Sequence, residues 1–204
     1  MNDWVQQAEY KSEVIIDIGF MVQESFYFGP ENGFTPEQYQ ELREALPVPD
    51  FEMSGNFVLT KNLAGKEFLL AEHYKAVVAM HEKHCKDISK STHFWNRPIV
   101  FQENDFCISF SWHDRFREGK NVLESLSSIQ DGEIYWDRDQ GWELEIYGQG
   151  EFLFAREWDP DYEKLHCQVK FDRKSVREQS QALIAHTTEI ISYLSREIGH
   201  DHWT

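Results

Sequence analysis

The residues able to do chemistry in this 204-residue chain fall into a few short clusters. Glu143 and Glu145 stand two apart in a segment that reads as a strand, so they share a face. A separation of about 6.6 Å suits the acid and base of an inverting glycosidase. Nearby Tyr147 and Trp158 could stack on a sugar. Adjacent carboxylates are equally the ordinary dress of an acidic sheet, and no surrounding apolar pocket is legible that would raise one pKa. His81-Glu82-Lys83-His84 has the residue types of a zinc-protease helix. That chemistry needs histidines at i and i+4, and here they stand at i and i+3. His73 and His84 do line up on a helix, but two ligands do not close a zinc site. Cys85, next to His84, points about 100° away on a helix. His166 and Cys167 point to opposite faces of a strand, with Cys167 on the apolar side. His200 and His202 flank Asp201 in a terminal stretch expected to fray. No phosphate-binding loop, dinucleotide-binding turn, nucleophile elbow or zinc ribbon is present in the sequence. We therefore assign no catalytic residue, no metal ligands and no cofactor.

Composition narrows the classes that remain. Aromatic residues make up 15% and hydrophobic residues 41%, which excludes a disordered or low-complexity chain. The formal net charge is −16, so nucleic acid and anionic membrane surfaces are not expected partners. Three widely spaced cysteines, Cys85, Cys107 and Cys167, read as free thiols of a cytoplasmic protein. No apolar stretch approaches the roughly 18 residues of a membrane span, and no secretory signal is expected.

These clusters must be positioned by regular elements. Residues 13–20 read as a strand, and 29–33 as a loop. Thr35, Pro36 and Gln38 announce a helix by capping box and first-turn proline, running to Pro47 and Pro49, with Tyr39, Leu42 and Leu46 at helical spacing. A short strand is expected at 56–60, and a helix at 66–85 with Leu70, Tyr74, Val77, Val78 and His81 on one stripe. Residues 86–98 read as irregular. Strands at 99–103 and 106–112 flank a turn at Asn104-Asp105, and a short helix is expected at 119–130. A meander follows at 133–137, 142–148, 151–158 and 164–171, turning at Asp139-Gln140-Gly141 and Gly148-Gln149-Gly150. A long amphipathic helix at 173–198 closes the chain. Alternation pools Phe106, Ile108, Phe110 and Trp112 with Trp142, Leu144, Ile146, Leu165, Cys167, Val169 and Phe171 on one buried sheet face. The fold class is α+β: an antiparallel β-meander sheet with amphipathic helices packed on one face, in a single domain.

The acid is unevenly spread. Residues 1–60 and residues 131–163 each hold 11 acids and 2 bases, net −9, while the remainder is net +2. The second block is the meander. Alternation places Glu133, Tyr135, Asp137, Glu143, Glu145 and Tyr147 on its outward face, with Trp158, Asp159 and Asp161 just beyond. A solvated, solubilising face is the plain reading. Aromatics among carboxylates also make a docking surface for a basic partner, since aromatics carry contact energy and charge steers encounter.

Gly141 to Tyr147, Phe152 to Pro160 and Val169 to Arg173 form a pattern of tryptophans and strands that resembles bacterial immunity proteins of polymorphic toxin systems, closest to the immunity protein family number fifty-two. The resemblance spans roughly residues 95–200. It implies an α+β cytoplasmic protein that is not an enzyme and that binds one cognate toxin, with restriction-endonuclease-like nucleases the associated toxins. It carries over no site residue. A nuclease must bind phosphate and is basic around its active site, so an acidic inhibitor fits it. The expected partner is thus a basic protein toxin. A paired-carboxylate hydrolase acting on a sugar or phosphoester and a general protein-binding adaptor are the alternative readings. Oligomeric state is not legible in the sequence.

Overall fold

The structure, a computed structural model, describes residues 3–30, 35–102, 105–108, 115–139 and 141–204. A 3-10 turn at Asp3–Gln7 leads into β1 (Glu9–Tyr10), β2 (Ile15–Met21) and β3 (Ser25–Tyr27). Then come α1 (Pro36–Glu41), β4 (Arg43–Ala45), β5 (Met53–Ser54), β6 (Phe57–Leu59) and α2 (Glu67–Lys83). After 3-10 turns at Ile88–Lys90 and Thr92–Phe94 follow β7 (Asn96–Gln102), β8 (Asp105–Ile108) and α3 (Phe116–Leu126). The meander is β9 (Gly132–Asp139), β10 (Trp142–Gln149), β11 (Phe152–Asp159) and β12 (Lys164–Asp172), and α4 (Arg173–Ile198) follows it directly.

The α+β class is as expected, but the strands divide between two five-stranded sheets and a small two-stranded one. One sheet is the meander in sequence order, with β1 added in parallel beside β12. The other runs β5-β6-β2-β7-β8, and β3 pairs with β4 apart from both. The single buried face pooled from alternation is therefore shared by two sheets, since Ile108 lies in β8 and Leu144, Ile146 and Val169 lie in the meander. Alternation reports which side of a strand is apolar and says nothing about which sheet the strand joins. Phe110, Trp112 and Asn104 fall outside the described residues.

Helix α4 is what joins the two halves. It packs on α2 and α3 and touches both β2 and β12. Its apolar stripe, with Val176, Leu183, Ile190, Ile191 and Leu194 buried, belongs to the same core as Ile18, Phe20 and Val100 of one sheet and Leu144, Ile146 and Phe171 of the other. Asp172 caps its start through Ser175 N at 2.7 Å, and Gly199 ends it in the left-handed region at φ 91°.

Three local expectations change. The capping box of Thr35 and Gln38 is present, yet α1 stops at Glu41, and Arg43–Ala45 leave it to pair with β3. Leu46 is buried in the core and is not on a helical stripe. Residues 200–204 do not fray: Trp203 is 0% exposed, edge-on to Tyr74 and Phe94. Asp201 accepts from Trp203 N at 2.8 Å, so Asp201 organises that turn. Asp17, an acid inside the β-branched run of β2, is 2% exposed. Its carboxylate accepts from the Thr60 hydroxyl, from Ile18 N at 2.7 Å and from Thr60 N at 3.0 Å, which pins β2 to the turn after β6. The three cysteines are free thiols. No helix among the described residues is long and apolar enough to cross a membrane.

Candidate functional site

The solvent-side face of the meander is decided by register. Antiparallel partners share a face. In β10 and β11, Glu143 pairs with Trp158, Glu145 with Arg156 and Tyr147 with Phe154, so these six side chains lie together opposite the buried Leu144, Ile146 and Leu153. Glu143, Glu145 and Tyr147 stand outward as expected, and Trp158 joins them on the face, with its partner Glu143 beside it.

Strand β9 departs from strict alternation. A bulge between Ile146 and Tyr147 leaves Ile134 without a partner. Beyond it Glu133 pairs with Tyr147 and is outward and exposed, as expected. On the other side of the bulge Tyr135 pairs with Ile146 and Asp137 with Leu144, which puts both on the inward side. The expected outward placement of Tyr135 and Asp137 is thereby corrected: one extra residue flips every later side chain of the strand. Tyr135 packs against the main core, and its hydroxyl donates to Asp137 Oδ2 at 3.0 Å. The outward residues of β9 are instead Trp136, 52% exposed and opposite Glu145, and Arg138, opposite Glu143.

Two arginines reorganise the electrostatics of this face. Arg138 reaches Glu143 at 3.3 Å and Asp161 at 2.9 Å. Arg156 pairs with Glu145 at 3.1 Å, and its guanidinium lies 4.8 Å from the Trp158 ring centroid and 5.7 Å from that of Trp4. Trp158 Nε1 donates to Glu143 Oε2 at 3.3 Å. Burial raises the Glu145 carboxyl above its ordinary value, with Arg156 pulling the other way. The two glutamates of the hydrolase reading are thus each held by a guanidinium. Asp159 folds back on its own loop, accepting from Asp161 N at 3.0 Å and Tyr162 N at 3.1 Å. The middle of the face therefore sets two guanidinium groups against the three carboxylates of Glu143, Glu145 and Asp161. Glu133 lies at the margin of this face, while Asp139, opposite Trp142, is on the inward side with Asp137.

The N-terminal turn covers one end of the face. Trp4, Val5 and Ala8 bury Phe154, with Tyr147 against them, in a small second core. Next to it Tyr10 meets Phe152 edge-on at 6.0 Å, and Lys170 lies over Phe152 at 5.4 Å. Tyr162, in the β11–β12 loop, is 82% exposed, and Leu165, expected on the buried face, is 53% exposed because a bulge between Glu157 and Trp158 sets it opposite Trp158. The face is a broad aromatic surface with arginines threaded through it. Arg156 was legible by position in β11, on the alternation that also carries Phe154 and Trp158, whereas only the bulge brings Trp136 and Arg138 of β9 onto this face. The distribution of acids along the sequence points to carboxylates and gives no sign of these arginines.

Histidines form the other concentration of titratable groups. His84 Nε2 lies 2.8 Å from Glu44 Oε1, and His73 Nδ1 lies 2.7 Å from Pro47 O. His166 stacks on Trp142 at 4.0 Å. Among the described residues no three His, Cys, Asp or Glu side chains converge in a way that could hold a metal ion. Comparison of the chain with family models, with curated proteins and with solved structures gave no match.

Proposed function

We propose that the chain is a non-catalytic immunity-type protein that binds and neutralises a basic protein toxin of the nuclease class. The observation that supports it is the outward meander face, where Trp136, Tyr147 and Trp158 lie on a sheet scaffold among carboxylates and arginines. A rigid sheet presenting tryptophan, tyrosine and arginine has the composition from which interface hot spots are made. The net charge of −16 would attract a cationic partner from a distance. The contact itself rests on the aromatics, because Glu143 and Glu145 already have cationic partners.

The test is co-expression with the product of the adjacent gene, followed by co-purification and a toxicity assay. A stable complex that abolishes toxicity supports the reading. Trp136→Ala should weaken that complex by about 2 kcal/mol or more through faster dissociation, with an unchanged melting curve. Full neutralisation by a folded Trp136→Ala, Tyr147→Ala double variant would place the interface elsewhere, and no complex at all would remove the proposal.

A further inference from the structure

Three cations of this acidic chain converge at a place that the docking face does not use. A cavity of about 520 Å³ opens between the paired strands β3 and β4, the C-terminal end of α2 and the turns at 88–94. Arg43, Lys86 and Lys90 line it, with His81 and His93 in its wall. Among the described residues none of the three cations pairs with a carboxylate. Arg43 Nη1 donates to Ser25 Oγ at 3.0 Å, and Lys86 Nζ to Gly29 O. Among the described residues the one acid in the lining, Asp87, accepts from Ser89 N and Oγ at 3.0 and 2.7 Å.

The histidines add directional groups. His81 and His93 are 7% and 6% exposed. Among the described residues His93 Nδ1 and His81 Nε2 have no hydrogen-bond partner. His81 Nδ1 faces Lys86 O at 3.3 Å, so Nδ1 carries the proton and Nε2 is left as a buried acceptor. Both rings pack on Phe26, edge-on at 4.8 Å and stacked at 5.6 Å. Buried polar atoms are ordinarily satisfied, and a pair without partners in the wall of a ligand-sized cavity calls for an occupant.

We propose that this cavity binds a small phosphate monoester carrying hydroxyl groups. The phosphate would lie among Arg43, Lys86 and Lys90, where a planar guanidinium and two ammonium groups match its charge and its oxygens. A hydroxyl of the ligand would donate to His81 Nε2, and His93 Nδ1 would take a further oxygen. Phe26 and Tyr27 supply the flat apolar wall. The inference does not depend on the toxin reading, because the cavity lies on other elements than the meander face.

Ribose 5-phosphate, inorganic phosphate and chloride at matched ionic strength are titrated into the whole protein. Binding is read by calorimetry, and the imidazole ¹⁵N shifts by NMR. Saturable binding of ribose 5-phosphate, tighter than that of inorganic phosphate, with shifts at His81 and His93, is expected. Arg43→Gln with Lys90→Gln should weaken it at least about tenfold while circular dichroism and melting stay unchanged, since both side chains are exposed. His81→Phe should remove the preference for the ester over inorganic phosphate. Equal binding of the two phosphates would overturn the hydroxyl contact. Non-saturable effects matching chloride, or binding untouched by the double variant, would overturn the site.

Discussion

Arg156 shows how much one side chain decides here. Its guanidinium lies over the Trp158 ring, reaches Trp4 and pairs with Glu145. Removing it strands a carboxyl that is already raised by burial. Arg156→Met keeps a long apolar stem against the two tryptophans and loses only the charge. We expect it to cost about 1–3 kcal/mol at pH 7, read by urea unfolding. A carboxyl with a raised pKa binds more protons folded than unfolded, so its contribution to stability falls as pH rises through that interval. Without Arg156 the Glu145 carboxyl rises further. The deficit should therefore shrink as Glu145 protonates below neutral pH. A deficit that stays constant with pH would mean that the lost stability came from packing and not from the stranded carboxylate.

At the scale of elements, the sequence was most legible where a local rule is strong. Helix α4 spans the expected residues because its cap, stripe and terminal glycine all agree. The four meander strands fall where turn residues punctuate alternating runs. Sheet membership was not legible, because the pairing of β2 with β7 joins residues some eighty positions apart. The bulge at Ile134 was equally hidden, since it follows from fitting β9 to β10 and not from β9 itself. The same holds for Arg173, which reads in sequence as the first residue of a helix. Its guanidinium is buried and donates to Ser128 O at 3.1 Å, Gly150 O at 2.9 Å and Gln130 O, and pairs with Asp131 at 2.8 Å. It thereby ties the start of α4 to the β10–β11 turn and to the segment before β9. Gly148 lies against this hub, where an added Cβ would stand 2.5 Å from Gln130 O. Arg173→Met should leave several buried carbonyls unpaired and cost about 2–4 kcal/mol. Hydrogen exchange should show the loss concentrated in residues 127–132 and the β10–β11 turn. A uniform loss of protection would mean that Arg173 supports the whole core and is not a local clasp.

The whole molecule carries a net charge of −16, and two opposing effects act on it as pH falls. Protonating carboxylates relieves self-repulsion, which favours the compact state. Against this, His73, His81, His93 and His202 all have pKa values depressed below 6.5, first of all by burial. His93 is driven furthest, to about 3, with His73, His81 and Arg43 adding repulsion. A group whose folded pKa is depressed binds fewer protons in the native state. Its stabilising contribution is then present above 6.5 and is lost as pH falls toward 3. Every tenfold loss of proton affinity on folding is worth about 1.4 kcal/mol, so His93 alone carries several kcal/mol. The local penalty should exceed the diffuse relief, because repulsion between exposed charges is screened over about 8 Å at physiological salt and buried imidazoles are not. Stability by urea unfolding should therefore fall steadily between pH 7 and pH 4.5, and raising the salt should steepen the fall by suppressing the relief. In His93→Phe, which keeps a ring against Phe26, the slope should flatten. An unchanged slope in that variant would assign the acid sensitivity to the other buried histidines or to the ion pairs of Glu44 and Asp131, whose depressed pKa values lose their stabilising effect only at lower pH.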